Sequence, residues 1–384
     1  MRTGIFLFGG VEMDEIGEGP PDPIERRYGA EDTWRATERI LDMGVVADTA
    51  GYDFFMFTEH HFQHEGYEVV PNSMLLGSVL AERTERIHIG AMFNIVPLWH
   101  PIRLAEDFAS LVNLSRGRAI LGIGRGSVLR ESVPFGSTIA SAEDPEGAAA
   151  ADQRNREVFQ EAMEVIHLAL ENEVFAYHGK HYDLPPPGIP DRGRMVESLT
   201  IVPRPLYPYE TWQAVTSPPT LDYVARQGWA GVFWHKNHLL VDQQWSQFAE
   251  IHEETHGSTL ASGEKRVLVV DVFIADSHDD AMAGARPSHD EFWKFLAPYR
   301  RTLGFRDPDG NPYPDDFVPT LEESMAQRFC MVGTADEVAE GIRGRIDDLG
   351  GLATLAVFPV CLGASYDIYA EQITRFAEEV RPLL

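Results

Sequence analysis

The sequence predicts an α/β fold, a closed (β/α)8 TIM barrel with long insertions in the loops at its carboxyl face. Three observations predict it. Apolar runs and helical periodicity alternate from one end of the chain to the other. Eight such runs occur, each followed by a helical segment, which suits a closed barrel better than an open sheet. Several of the runs stop abruptly at titratable or hydroxyl-bearing residues, as strands do at the functional edge of parallel folds. The chain has 384 residues, against roughly 250 for an uninserted barrel. The excess is assigned to loops at 9–29, 127–152, 175–193 and 276–319. No linker-like composition divides the chain, so 1–384 is expected to be one domain.

The first strand is read at 3–8, ahead of a loop dense in Gly, Pro and acids. A helix over 34–50 places Ile40, Leu41, Val45 and Val46 on one side. Residues 53–58, dominated by Phe and Met, form a strand buried on both faces. A helix at 73–82, a third strand at 87–96 and an amphipathic helix at 101–114 follow. The fourth strand spans 119–123, and 127–152 breaks the rhythm as a surface excursion. A helix resumes at 156–170, a short hairpin is expected at 175–182 and a proline-rich crossing at 185–193. The remaining strands are assigned to 210–215, 231–234, 267–275 and 354–358. Their helices fall at 221–227, 242–256, 335–349 and 366–380, with one or two more within 276–328. There is no internal repeat and no low-complexity tract.

Composition narrows the function classes. Hydrophobic residues make up 44% of the chain without a membrane-length apolar stretch. Residues 2–8 run straight into a strand, with no basic start or cleavage site of a signal peptide. Two cysteines, Cys330 and Cys361, are too few for a disulfide framework, so a cytoplasmic protein with reduced thiols is expected. A net charge of −28 excludes general affinity for nucleic acid or an anionic membrane.

The second strand ends as Glu59-His60-His61, which places a carboxylate and two imidazoles at the edge of a packed core. Such groups can be hydrogen-bonded core members, and His60 and His64 have the spacing of metal ligands on one helical face. The second pair of a zinc HExxH pattern is absent, so no metal is expected. The fourth strand ends as Gly122-Ile123-Gly124-Arg125-Gly126, where exposed amides and a permanent cation form a plausible phosphate seat. A dinucleotide fingerprint is disfavoured because Ser127 stands at the third glycine. The fifth strand ends in Thr216-Ser217 at a helix start, and Ser217 is an N-cap or an anion ligand there. In a barrel these two strand ends are neighbours, so Arg125 and Ser217 can converge on one phosphate. Phe62, Trp212 and Trp234 suit a flat ring or an apolar substrate at the same rim.

These features resemble the bacterial luciferase-like flavin monooxygenases. The motifs that carry the likeness are TEHHF at 58–62, IGAMFNIVPLWHP at 89–101 and SRGRAILGIGRG at 115–126. NREVFQEAMEVI at 155–166, FAYHGKHYD at 175–183, AVTSPPTLDYVARQG at 214–228 and GTADEVAEGI at 333–342 complete the set. The resemblance implies reduced FMN, or deazaflavin F420 in some branches, on the carboxyl face of the barrel. Arg125, Ser217, Thr220 and Arg156 would hold the cofactor phosphate, with Gly124, Gly126 and Thr216 around them. Luciferases carry a glutamate at the position of Thr216 and a reactive cysteine at that of Gly124, so light emission is not expected. His60 corresponds to the family base, with Glu59 beside it to orient the site. Ala91 and Met92 would lie beneath the ring on a non-proline cis peptide joining them, with the Asn94 amide turned toward the cofactor.

The implied chemistry is a monooxygenation. Reduced FMN comes from a separate NAD(P)H-dependent flavin reductase, and O2 is activated as the C4a-peroxide to oxygenate a small, apolar organic substrate near Phe62, Trp99, Trp212 and Trp234. Alternatives are an F420-dependent oxidoreductase transferring hydride, a metal-dependent hydrolase using Glu59, His60, His61 and His64, and a non-catalytic flavin-binding protein. The resemblance also implies a homodimer packed around Pro101–Leu114.

Overall fold

The computed structural model describes residues 1–18, 23–140, 145–299 and 301–384. Small parts of three predicted loops (19–22, 141–144 and 300) therefore lie outside the described residues. Eight parallel strands close into a barrel: β1 Arg2–Leu7, β2 Phe54–Phe57, β3 His88–Ala91, β4 Ala119–Gly124, β5 Glu210–Ala214, β6 Ala230–Phe233, β7 Arg266–Ile274 and β8 Thr354–Pro359. They pair in chain order, and closure comes from β4 against β5, with Gln213 opposite Ile123, and from β8 against β1, with Val357 opposite Ile5. These eight are the strands predicted.

The helices follow the strands: α1 Ala30–Thr49, α2 Ser73–Arg83, α3 Pro101–Leu114, α4 Pro145–Glu171, α5 Pro218–Gln227, α6 His238–His256, α7 His278–Leu296, α8 Leu321–Ala326, α9 Ala335–Asp348 and α10 Tyr366–Arg375. Alternation along each strand sorts the apolar residues into two cores. Phe6, Phe54, Met56, Ile120, Trp212, Val232, Val267, Val269 and Ala356 fill the barrel interior. Leu7, Phe55, Phe57, Ile123, Phe108 and Val270 pack between strands and helices. Among the described residues, no helix is long and apolar enough to cross a membrane.

Four differences from expectation have local causes. The third strand does not run unbroken over 87–96: β3 ends at Ala91, Asn94–Ile95 pair separately with β4, and Val96–Leu98 turn into a 3-10 helix. Helix α4 starts at Pro145, well before the expected 156, because the alanine run 148–151 favours helix. A short parallel strand, Cys330–Gly333, pairs with the carboxyl end of β7 and was concealed in front of the Thr334 helix cap. The segment read as a proline-rich crossing holds a second small hairpin, Pro190–Asp191 against Arg194–Met195.

Candidate active site

β2 delivers His60 to the mouth of the barrel. Its backbone N–H donates to Val70 O (3.0 Å), closing the loop after β2 over the strand end. Both imidazole nitrogens face carboxylates. Nδ1 lies 2.9 Å from Glu131 Oε1 and Nε2 2.9 Å from Glu68 Oε1. An imidazolium places its charge against both carboxylates, hydrogen-bonded to Glu131 through Nδ1 and in close ion-pair contact with Glu68 through Nε2. Glu68 is 1% exposed, and its other oxygen accepts from the Thr58 hydroxyl. Glu131 also accepts from the Gln63 amide. Burial alone would lower the His60 pKa, but the charges of Glu131 and Glu68, with their hydrogen bonds, carry it well above its ordinary value. Burial pushes Glu68 up to about 7 against the pull of His60. For Glu131, burial acts upward, but the His60 charge and the bonds from His60 and Gln63 outweigh it and leave the carboxyl low.

Glu59 does not orient His60. Its carboxylate accepts from Trp99 Nε1 (2.9 and 3.1 Å) and Ile95 N (3.2 Å) and lies 3.2 Å from His61 Nε2. It therefore fastens the segment after β3 to the end of β2. His64 Nε2 turns to Ile24 O, so Glu59, His60, His61 and His64 do not converge as a ligand set. Among the described residues, no group of three metal-ligating side chains forms.

The ends of β4 and β5 supply the cationic side. Arg125 lies 2.9 Å from Asp152, and the same carboxylate holds Arg156 at 2.8 Å, so one aspartate gathers both guanidiniums. Those hydrogen bonds and charges overcome burial and hold the Asp152 carboxyl low. Asn155 accepts from Arg125 and donates to its carbonyl. Ser217 stands at the N-cap position of α5 without a side-chain cap bond, its hydroxyl 3.0 Å from that of Thr220, and Thr216 beside it is exposed. Gly126 needs its positive φ of 82°, and a Cβ there would come 2.9 Å from Ile95. Beneath this loop lies Lys236, which sequence reasoning missed. Its ammonium donates to Val215 O and to Gln244 Oε1, with no charged partner among the described residues, and burial lowers its pKa to about 8. A lone lysine after an aromatic strand gave no periodic signal of its burial.

The mouth has two unlike walls. On one side a Cβ at Gly122 would stand 1.7 Å from Ala91 O, so backbone of the β3 end fills the place of a side chain. Met92 and Ala91 are buried there, and the non-proline cis peptide falls between Met92 and Phe93, one residue later than expected. Asn94 is fully buried, its amide donating to Gly122 O (2.7 Å) and its oxygen accepting from Ser73, so its side chain is engaged inside the barrel wall. On the other side Phe8 packs against Trp234, Phe358, Phe292 and Phe295 with ring centroids 5.1–6.2 Å apart, and lies 6.4 Å from the His60 ring. Trp234 is fixed by its indole N–H on Asp271 (2.7 Å) and by stacking on His235. Phe8 and the two α7 phenylalanines escaped sequence reasoning because α7 lies in an insertion whose docking no local pattern reveals.

Two aromatic assignments are corrected. Trp212 is not at the rim. It is 1% exposed inside the barrel against Phe54, and its N–H reaches Glu210 at the amino-terminal end of the same strand. Strand alternation puts it in the interior layer, below the mouth. Phe62 takes a positive φ of 60° that turns it outward, 51% exposed and stacked on Phe135.

The strand ends of this (β/α)8 barrel thus join a histidine held between two carboxylates, an arginine pair and an aromatic wall at one mouth. The luciferase-like monooxygenase family model matches residues 1–352, and the chain belongs to that family. It is accordingly a flavin-dependent oxidoreductase. It is 25% identical over 339 residues to 3,6-diketocamphane 1,6-monooxygenase of Pseudomonas putida, covering 84% of this chain and 87% of that one. It is 24% identical over 371 residues to the F420-dependent glucose-6-phosphate dehydrogenase of Kineococcus radiotolerans, covering 94% and 97%. Among solved structures, the oxygenating constituent of the Pseudomonas putida 3,6-diketocamphane monooxygenase, a type II Baeyer–Villiger enzyme in complex with FMN, superposes with a TM-score of 0.73 at 20% identity, covering 100% and 98% of the two chains.

Proposed function

We propose that this enzyme is an FMN-dependent monooxygenase that receives reduced FMN from a separate NAD(P)H-dependent reductase and uses O2 to oxygenate a small apolar molecule. The observation that carries this reading is the juxtaposition at one barrel mouth of Arg125 and Arg156, a small-residue and backbone wall, and an aromatic wall beside His60. The donor set fits a phosphate: two guanidiniums gathered by one displaceable carboxylate, beside two hydroxyls at the start of α5. Bound there, a reduced flavin supplies the electrons with which oxygen is activated. The chain's own part would be to hold the phosphate with Arg125, Arg156, Ser217 and Thr220, and to offer the β3 backbone that passes close over Gly122 as a flat wall. Phe8, Trp234 and Phe358 exclude water from the reacting face. His60 moves a proton at Nδ1, and Glu59 keeps the Trp99 segment in place behind it.

His60→Ala is expected to abolish turnover while FMN still binds; near-normal turnover removes His60 from the mechanism. An F420-dependent hydride transfer is the second reading, motivated by the full-length likeness to the Kineococcus dehydrogenase. Oxygen uptake with photoreduced FMN supports the first, and bleaching of F420 with an alcohol or sugar phosphate under anaerobic conditions supports the second. The reading includes a homodimer packed around α3, where Leu114 and, on adjoining α2, Leu75 are 48% and 63% exposed. Sedimentation as a monomer would remove that part.

A further inference from the structure

The loop after β2 places a second carboxylate on the histidine of the proposed mechanism. We infer that Glu68 is the charge partner of His60, a positioning residue that keeps the hydrogen on Nε2 while Nδ1 exchanges a proton with the reacting molecule; this rests on His60 being the acid–base group. Two features single out Glu68. It is fixed: 1% exposed, its Oε2 held by the Thr58 hydroxyl, and its Oε1 left for His60 at 2.9 Å. It also sits opposite the nitrogen that faces Glu131, so the imidazole bridges two carboxylates as a wire bridges two terminals.

The step balances without another reactant. With the imidazolium between two carboxylates, both ring nitrogens carry hydrogen, Nδ1 toward Glu131 and Nε2 toward the Glu68 charge. When Nδ1–H breaks toward an acceptor, Nε2 keeps its hydrogen beside the Glu68 carboxylate. The imidazole is left neutral in that one tautomer, and Glu68 remains a carboxylate. No imidazolate forms, and one proton leaves the buried cluster. In this structure the acceptor at Nδ1 is Glu131, carried on the short helix Leu129–Ser132 of the excursion after β4. An acceptor atom of the reacting molecule takes that place in turnover. Among the described residues, the charged and titratable groups facing Glu68 are His60, Glu131, Arg301 and Tyr369, with the Thr58 hydroxyl.

The test is an imidazole 15N NMR titration of the full-length protein, the His60 signal assigned by its loss in His60→Gln, alongside kcat against pH. Glu68→Gln keeps the shape and removes the charge. It is expected to lower the His60 midpoint by at least one pH unit, a tenfold loss of proton affinity, and to shift a limb of the kcat profile equally. Glu68→Asp is expected to restore much of both, and it carries the test if the Gln variant does not fold. An unchanged His60 midpoint in folded Glu68→Gln overturns the inference, as does a fall in kcat with no shift along pH. If no turnover occurs with FMN or F420, the proposed function fails while the NMR titration still decides the charge partnership.

Discussion

Replacing Lys236 with Met isolates one term in the stability of the loop that begins with Thr216. Lys236 is 6% exposed, and among the described residues its ammonium meets only the neutral acceptors Val215 O (2.5 Å) and Gln244 Oε1 (2.7 Å). Burial lowers its pKa to about 8, against about 10.4 in an unfolded chain. The folded protein thus binds this proton more weakly by about two pH units, which costs about 3 kcal/mol. The cost is present in full below pH 8 and fades between pH 8 and about 10.4, because the unfolded chain there still holds a proton that the folded one has released. Stability from this group therefore rises with pH. Met removes the titration but leaves two acceptors without their donor, about 1–3 kcal/mol for each buried group. That loss offsets the gain at neutral pH, so the absolute difference there is not diagnostic. The difference between wild type and variant is, because every other titrating group cancels. Urea unfolding at pH 7.5 and 10.5 should show wild type gaining about 3 kcal/mol on Lys236→Met across that interval. A difference that stays flat refutes the account of Lys236 as a buried, uncompensated cation.

Arg125→Ala should weaken FMN binding by roughly 1.5–3 kcal/mol, the range for a hydrogen bond to a charged group, and leave riboflavin binding unchanged; equal losses for both ligands in fluorescence titrations would put Arg125 away from the phosphate. Gly122→Ala should destabilise by at least the upper end of the about 1–3 kcal/mol typical of overpacking, since its Cβ would meet Ala91 O at 1.7 Å. An unaltered urea midpoint would contradict that close approach. Gly344→Ala, inside α9 with only the tip of Arg328 near the added methyl, should stabilise by about 0.5–1 kcal/mol. A lowered midpoint would place a rigid neighbour there instead.

The strands were legible because each is a short apolar run set off by turn residues, and parallel barrels bury such runs on both faces. The FFMF stretch of β2 is the plainest case, with all four residues buried. What could not be read arises from contacts distant in sequence. Phe292 and Phe295 reach the mouth from α7, more than 280 residues from Phe8, against which both pack. Glu131 reaches His60 from within an excursion that reads only as Ser, Gly and acids. The break after Ala91 likewise depends on what faces Gly122 from the next strand, and composition within 87–96 does not encode it.

One misreading was avoidable on physical grounds. Successive side chains of a strand point to opposite faces, and Phe54 and Met56 occupy the barrel interior while Phe55 and Phe57 face the helices. Continued past the strand, that period carries Thr58 and His60 on the interior side and Glu59 on the other. Glu59 is therefore directed toward the Trp99 segment, where its bonds to Trp99 and Ile95 are found, and away from the imidazole next to it in sequence. A partner for His60 had to come from its own side. Thr58 takes that side and holds Glu68, the carboxylate that reaches Nε2. The same period places Trp212 inward opposite Gly122, two residues below Gly124 on β4, and so assigns it to the interior plug and not to the rim. A shift of one residue in β2 would exchange these faces, bringing Glu59 and Phe57 inward and removing His60 from the mouth. The large, tightly packed rings of Phe54 and Trp212, 5.0 Å apart deep in the barrel, thus help set the register on which the position of His60 above them depends.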